Sequence, residues 1–404
     1  MTGINEASGR GMLDFAGRHM PALEAATDLV RAGGRLAGKR VGIALTLEPK
    51  TANLAEALAS LGAEVAVLGS SNSTRDEVVS ALRDRGIAVF GEAGSTPERS
   101  LELRNAFIDT LPELLADDGS GNVRHIHTVR RDALPTLSGV AEETTSGVRP
   151  LRVMEAEGAL EVPCVAVNDA RTKLLFDNVY GTGQSVIMAI LDATNTQMQG
   201  KRVVVVGYGK VGRGIAAAAR ALGARVTVTE IDHVEALVAH HDGYRVAQLA
   251  TAVTTADIVI TATGIGHSLT ANHVAAMPDG TIVAVGGAGP PEFDPTEGPD
   301  LVDGDTVRPG VRELVVPNGP TVFVIADGYC ANTSAGEGNP IEVMDLSLAL
   351  QLRALDYLAE ANLQPGVHLL PRHIDDEVAA SQLAALGIKI DVASPTQRAA
   401  AQSW

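Results

Sequence analysis

The 404-residue sequence predicts an α/β protein made of two doubly wound domains followed by a small C-terminal tail. Three observations predict it. From Arg40 onward, short apolar runs alternate with helix-length segments, as parallel strands do when crossover helices connect them. A second alternation starts at Arg202–Val206 and runs directly into Gly207-Tyr208-Gly209-Lys210-Val211-Gly212. The composition is rich in Ala, Gly and Val, 45% hydrophobic and only 3% aromatic, which suits helices packed closely on parallel strands.

Residues 1–38 read as a polar lead-in with a helix around Pro21–Ala32. Strands are expected at Val41–Leu45, Glu64–Leu68, Ile87–Phe90 and Leu114–Ala116, with helices Thr51–Leu61 and Arg75–Arg85 between the first three. In an open parallel sheet, ligand groups belong at strand C-termini, which is where Thr46, Glu48 and Asp118 fall. The second unit reads strand Arg202–Val206, helix Val211–Leu222, strand Arg225–Thr229, helix His233–His240 and strand Asp257–Thr263. A helix around Ala271–Met277 and a strand Thr281–Val285 follow, then a Gly-, Pro- and Asp-rich loop from Gly286 to Asp305. Strands Glu313–Val316 and Thr321–Ala326 close the unit, Glu342–Ala361 is a long helix, and Asp375–Leu386 a helix of the tail.

Net charge is −17, which argues against nucleic acid or an anionic membrane as partner. Nowhere do roughly 18 apolar residues run uninterrupted. Met1–Arg18 has no apolar stretch after a basic start, so no signal peptide is read. Cys164 and Cys330 are too few for a disulfide framework, and a reduced, cytoplasmic setting is expected. His125 and His127 alternate on an expected strand and His240 and His241 end a helix. None has partners at metal-ligand spacing, so no metal is expected. No Ser/His/Asp order or nucleophile elbow is evident.

Gly207, Gly209 and Gly212 form G-x-G-x-x-G, which alone also describes a glycine-rich turn. Here a strand precedes it, a helix follows, and Glu230 lies 18 residues past the last glycine at the end of the next strand. Gly207 permits the tight turn, Gly209 the approach of backbone to a pyrophosphate, and Gly212 the packing of helix on strand. Glu230 would accept from both ribose hydroxyls and repel a 2′-phosphate, which selects NAD as cofactor.

Just upstream runs Asn168-Asp169-Ala170-Arg171-Thr172-Lys173-Leu174-Leu175-Phe176-Asp177-Asn178. Lys173 and Asp177, spaced i, i+4, share a helix face, as does any ordinary surface ion pair. Together with Gly139–Val148, Gly207–Asp232, Thr261–Gly264, Gly328–Asn332 and Gly366–Pro371, this segment resembles the adenosylhomocysteinase family over nearly the whole chain. The resemblance implies a substrate domain at 1–180 and 341–371, an NAD domain at 181–340, and an oligomerisation tail at 372–404. It also implies a homo-oligomer, dimer or tetramer, acting on a small nucleoside. In that family, enzyme-bound NAD oxidises the nucleoside 3′-hydroxyl, the C4′ proton is removed, the 5′ substituent is expelled, water adds and the ketone is reduced back.

By resemblance, Lys173 and Asp177 manage the 3′-hydroxyl proton, with Lys173 the base once burial lowers its pKa. Glu143 holds the ribose hydroxyls and Asp118 is the base at C4′, although Asp117-Asp118-Gly119 also reads as a plain turn. Thr144, Thr145, Ser146, Asn178 and Asn332 would contact the nicotinamide side of NAD. Val211, Thr263, Gly264 and Gly287 join the glycine motif and Glu230 as further cofactor residues.

The chain departs from the family at the base and leaving-group ends. Family His, Thr and Glu positions after the first strand are Thr46, Glu48 and Lys50. A His facing the leaving group is Ala288, a His near the purine is Asn339, and a Cys near the nicotinamide is Thr182. The sequence stops at Trp404 without the family's Lys- and Tyr-bearing extension, so more exchangeable NAD is expected. Glu48 is read either as a buried acid able to protonate a leaving group or as a solvated acid at a helix N-terminus. The reading is redox-assisted elimination on a nucleoside other than S-adenosylhomocysteine, for example dehydration to an unsaturated nucleoside. The alternatives are a divergent S-adenosylhomocysteine hydrolase and a non-catalytic NAD-binding regulatory homologue.

Overall fold

The computed structural model describes residues 8–287, 291–294 and 298–404. Its strands are β1 (Arg40–Ala44), β2 (Glu64–Leu68), β3 (Ala88–Phe90), β4 (Leu114–Asp117), β5 (Gly139–Glu142), β6 (Pro163–Ala166), β7 (Arg202–Val206), β8 (Arg225–Thr229) and β9 (Arg245–Val246). They continue as β10 (Ile258–Thr261), β11 (Leu269–Thr270), β12 (Ile282–Val285), β13 (Phe293–Asp294), β14 (Val302–Arg308), β15 (Val311–Val315), β16 (Thr321–Ile325) and β17 (Gly366–Leu369).

Two large sheets result, one per Rossmann-like domain. The first is parallel throughout, in the order β17-β6-β5-β4-β1-β2-β3. The second has the order β14-β15-β16-β12-β10-β7-β8-β9, parallel except for its antiparallel β14-β15-β16 edge. β11 and β13 pair separately as a short parallel ladder. The strands are apolar on both faces because helices cover both sides of a parallel sheet. Ile43, Val67 and Ala116 pack into one layer while Ala44, Leu115 and Val140 pack into the other, the period of two that a strand imposes. Val203, Val205 and Ile260 against Val204, Val206 and Val259 repeat the pattern in the second sheet.

Two local expectations are corrected, and the first sheet gains strands that were not expected, β5, β6 and β17. His125 and His127 lie on a helix, Gly121–Thr128, because Asp117 accepts the N–H groups of Asn122 and Val123 and so starts a helical turn just after β4. β14 forms within the expected Gly286–Asp305 loop and runs beyond it, since Val311–Val315 offers it an edge to pair with. β17, legible only as a motif, adds to the first sheet beside β6.

The chain crosses between the domains on helical segments. Arg171–Phe176, a π-turn Asp177–Gly181 and Thr182–Thr194 form one helical run. Its crossing with the helix Lys210–Ala221 is backbone on backbone: a Cβ on Gly214 would lie 1.9 Å from the Val179 carbonyl oxygen, and one on Gly183 2.5 Å from the Gly214 carbonyl carbon. The return helix Ile341–Glu360 is buried along most of its length, and Asp345 on it caps the helix Pro21–Gly33 by accepting from Ala22 and Leu23 N–H at 2.9 and 2.7 Å. No helix of the described residues is long and apolar enough to cross a membrane. Gly214→Ala is expected to lower thermal stability by several degrees, from overpacking of roughly 1–3 kcal/mol, measured as the melting midpoint.

Candidate functional site

In each sheet the strand order reverses beside the first strand, at β1/β4 and at β7/β10, and a crevice opens there past the strand C-termini. Both crevices face one cavity of about 480 Å³. Thr46, Glu48, Asp118, Glu143, Lys173 and Asp177 line it from the first domain. Gly209, Val211, Thr263, Gly264, Gly287 and Asn332 line it from the second, and Gly338 and Asn339 from the returning segment.

The centre is Lys173, only 3% exposed. Its ammonium pairs with Asp177, lies 3.6 Å from Glu143 Oε1 and donates to Asn178 Oδ1 at 3.2 Å. The π-turn beginning at Asp177 widens the helix, so neighbours at i+4 and i+5 both reach the same ammonium. Burial disfavours the charge on Lys173, but Asp177 and Glu143 outweigh it, and the net pKa stands above that of an ordinary lysine. The expected lowering is therefore corrected: Lys173 is a buried, charged member of an ion cluster. Glu143 accepts from Ser347 and Gln351, one turn apart on the helix Ile341–Glu360, and burial raises its pKa against the pull of Lys173. Asp177 accepts from Asn339 Nδ2; Asn339 Oδ1 in turn accepts from Ser185 at 2.7 Å and Asn332 at 2.9 Å.

Asp118 stands beside Thr144, and burial raises its pKa. Behind it, Glu142 at the end of β5 is fully buried and accepts from Gly119 N–H (2.8 Å), Ser120 N–H (2.9 Å), Thr144 N–H (3.1 Å) and Thr144 Oγ1 (3.0 Å). One carboxylate thus ties the β4 loop to the β5 loop. Gly147 makes room for it, since a Cβ there would sit 2.1 Å from Glu142 Oε1. Thr145 donates to Asn168 Oδ1 at 3.1 Å, as does Asn178 at 3.3 Å, and Ser146 lies 3.1 Å from Thr144. Sequence reasoning passed over Glu142, Ser347 and Gln351. Only the doubled acid of Glu142-Glu143 hinted at the first.

Glu48 resolves its two readings in favour of burial. It is 6% exposed and Oε2 accepts from Lys50 Nζ at 2.8 Å. Burial pushes its pKa up to about 7 although Lys50 opposes the rise. Lys50 also donates to the carbonyls of Glu337 (2.8 Å) and Asn339 (2.7 Å), which accounts for its three N–H bonds. Glu48 Oε1 has no protein hydrogen-bond partner among the described residues. None of the described residues lining the cavity is a histidine. Ala288 lies outside the described residues. Thr182 donates to the Asp177 carbonyl at 3.4 Å and accepts from Asn339 at 3.2 Å.

The residues of the second domain fit a dinucleotide. Gly207 has φ +95°, and a Cβ on Gly212 would lie 2.0 Å from the Gly207 carbonyl oxygen. A Cβ on Gly209 would meet nothing within 4 Å: that face is open, over the uncapped first turn of Lys210–Ala221, whose N–H groups suit a pyrophosphate. Glu230 is fixed at the end of β8 by N–H groups of Tyr208 (2.6 Å), Ile231 (2.7 Å) and Asp232 (3.0 Å). Thr263 and Gly264 N–H bond the buried Glu292, against which a Cβ on Gly287 would collide. Asn332 accepts from Cys330 Sγ at 2.9 Å.

Residues 3–135 match the family described as S-adenosyl-L-homocysteine hydrolase, and residues 178–338 match that family's NAD-binding domain. An S-inosyl-L-homocysteine hydrolase of Methanopyrus kandleri is 41% identical over 98% of this chain and 95% of its own length. An adenosylhomocysteinase of Thermotoga maritima is 42% identical over 98% and 99%. The S-inosyl-L-homocysteine hydrolase of Methanosarcina acetivorans is 42% identical over 98% and 97%. On these matches the chain belongs to the S-adenosyl-L-homocysteine hydrolase family and uses NAD as its cofactor.

Proposed function

We propose that this enzyme cleaves the C5′ thioether of an S-nucleosyl-homocysteine whose purine presents a ring N–H, rather than S-adenosylhomocysteine itself. The observation that carries the base assignment is Glu48, a carboxylate with one oxygen spent on Lys50 and the other open to the cavity. All three Lys50 donors are used, so this corner offers an acceptor and no ammonium. A 6-oxopurine supplies a ring N–H to such an acceptor. Above about pH 7, where Glu48 is ionised, adenine would turn the lone pair of its N1 toward an acceptor, and that pairing costs the desolvation of both. Two of the relatives named above are S-inosyl-L-homocysteine hydrolases, which fits this edge.

Held at the glycine turn Gly207–Gly212, NAD would supply reversible hydride transfer at C3′. The chain's own residues handle protons and position. Lys173, charged and paired, steadies the developing 3′-oxyanion, while Asp177 accepts the hydroxyl proton. Glu143, locked by Ser347 and Gln351, aligns the ribose. Asp118, whose proton affinity burial raises, takes the C4′ proton once the ketone has acidified it. A thiolate leaves without the acid assistance that hydroxide needs, which suits a cavity whose described lining holds no imidazole.

Condensation of homocysteine with inosine and with adenosine at about pH 8, where Glu48 is ionised, followed by mass spectrometry, tests this. The thioether product is expected from inosine at a kcat/KM roughly tenfold or more above adenosine, and Glu48→Gln is expected to shrink that ratio. Preference for adenosine would sink the base assignment; no product from either would sink the thioether reading, and loss of one water from the nucleoside would point to dehydration instead. Lys173→Met should lower kcat by about a thousandfold, within the range for removal of an oxyanion-stabilising donor.

Glu48 also predicts a pH signature of stability without any ligand. The folded chain keeps a proton on Glu48 up to about pH 7, the unfolded chain only to about pH 4.3. Between those values each rise in pH disfavours the folded state. The melting midpoint of wild type should therefore fall relative to Glu48→Gln between about pH 4.5 and 7, and parallel curves would refute the buried-acid assignment.

A further inference from the structure

We propose that Asp375, on the C-terminal helix Arg372–Ala385, is a positioning residue for the reaction: its carboxylate caps the helix that carries Lys173 and Asp177 and fixes where they stand. The roles of Lys173 and Asp177 rest on the function proposed above; the cap itself is geometry. The helical run that starts at Arg171 is preceded by Ala170, whose methyl cannot accept a hydrogen bond, so its first N–H groups have no local partner. Asp375 supplies one from more than 200 residues away. Oδ2 accepts from Arg171 N–H at 2.8 Å and Oδ1 from Thr172 N–H at 3.0 Å, while Thr172 Oγ1 reaches the Asp375 carbonyl at 3.5 Å.

Both ends of this contact are dry: Asp375 is 5% exposed and Thr172 is buried. Water cannot readily replace the carboxylate, so its loss unwinds the first turn instead of merely solvating it. Lys173 is the next residue in that turn. Fraying would release the ammonium from the pocket that Asp177, Glu143 and Asn178 make for it. Asp345 provides an internal comparison. From the helix Ile341–Glu360 it caps Ala22 and Leu23 with the same two-oxygen geometry, and the helix it caps, Pro21–Gly33, carries no residue of the site.

The test compares Asp375→Asn, Asp375→Glu and Asp345→Asn in the full chain with NAD bound. Turnover is measured with homocysteine and inosine or adenosine. Labelling of Lys173 by an amine-reactive ester, mapped by peptide mass, gives a readout independent of turnover. Asp375→Asn is expected to lower kcat about tenfold with KM and NAD affinity within about twofold, and to label Lys173 severalfold faster. Asp375→Glu recovers part of both, whereas Asp345→Asn loses thermal stability but keeps wild-type kcat and Lys173 protection. Wild-type kcat and labelling in Asp375→Asn would overturn the proposal. So would an equal kcat loss in Asp345→Asn, since that makes any missing cap sufficient. If neither nucleoside turns over, the reading of function fails, and the labelling comparison alone still decides the role of Asp375.

Discussion

The burial of one ammonium, that of Lys173, organises this molecule. An unpaired charge in a dry interior costs several kcal/mol, so the cation requires carboxylates, and those carboxylates require donors of their own. Asp177 takes Asn339 from the segment returning from the NAD domain; Glu143 takes Ser347 and Gln351 from the helix after it. The partners come from four separated stretches of chain, so the ion cluster is complete only when the return segment has packed. Stability and site geometry are thereby the same requirement. Removing one member leaves the others buried without compensation, which is why such clusters are more costly to break than to replace entirely.

Small residues let the two halves come close enough for this. Gly183 and Gly214 allow the Thr182–Thr194 and Lys210–Ala221 helices to touch through their backbones. That contact lies beside the π-turn carbonyl of Val179, so the dinucleotide-binding helix and the helix bearing Lys173 are fixed relative to each other. Gly212, two residues before Gly214 and so on the far side of the same helix, packs onto Gly207. The helix whose uncapped N-terminus suits a pyrophosphate is therefore also the helix packed against the run that bears the ion cluster.

The central strands of the second sheet, β1 to β4 of the first, the glycine turn and the Lys173–Asp177 spacing were legible because each is written in adjacent residues, whereas β5, β6 and β17 were not read as strands. A five-residue apolar strand before G-x-G-x-x-G or an i, i+4 pair needs no knowledge of the rest of the chain. The pairing of Lys173 with Glu143, 30 residues away, and of Glu143 with Gln351 has no such local signature. Burial alone suggests a lowered lysine pKa; only the count of carboxylates around it reverses the sign. Asp375 was invisible for a related reason, since a capping side chain is normally sought at the helix's own N-cap, and here that position is Ala170. His125 and His127 misled because their alternation mimics a strand, while the start of their helix is set by Asp117 folding back over Asn122.

The contacts that join the domains across the cavity differ sharply in strength. Arg149 donates to the Gly264 carbonyl at 3.0 Å from an exposed position, and Arg75 pairs with Glu337 at 2.6 Å with the glutamate mostly in solvent. Exposed contacts of this kind contribute up to about 1 kcal/mol each and weaken with salt. Lys50 is different: 4% exposed, it satisfies two carbonyls of the return segment and the Glu48 carboxylate at once. Pulling that segment away would strand a buried ammonium and two carbonyls, a cost of several kcal/mol. Resistance to separation is therefore concentrated beside Glu48 and Asn339, where the nucleobase is proposed to bind, and is slight along the Arg149–Gly264 side. The same lysine that fills one acceptor of Glu48 ties down the backbone of Asn339, whose side chain holds Asp177, so the proposed base recognition and the proposed 3′-hydroxyl chemistry share a single mechanical anchor.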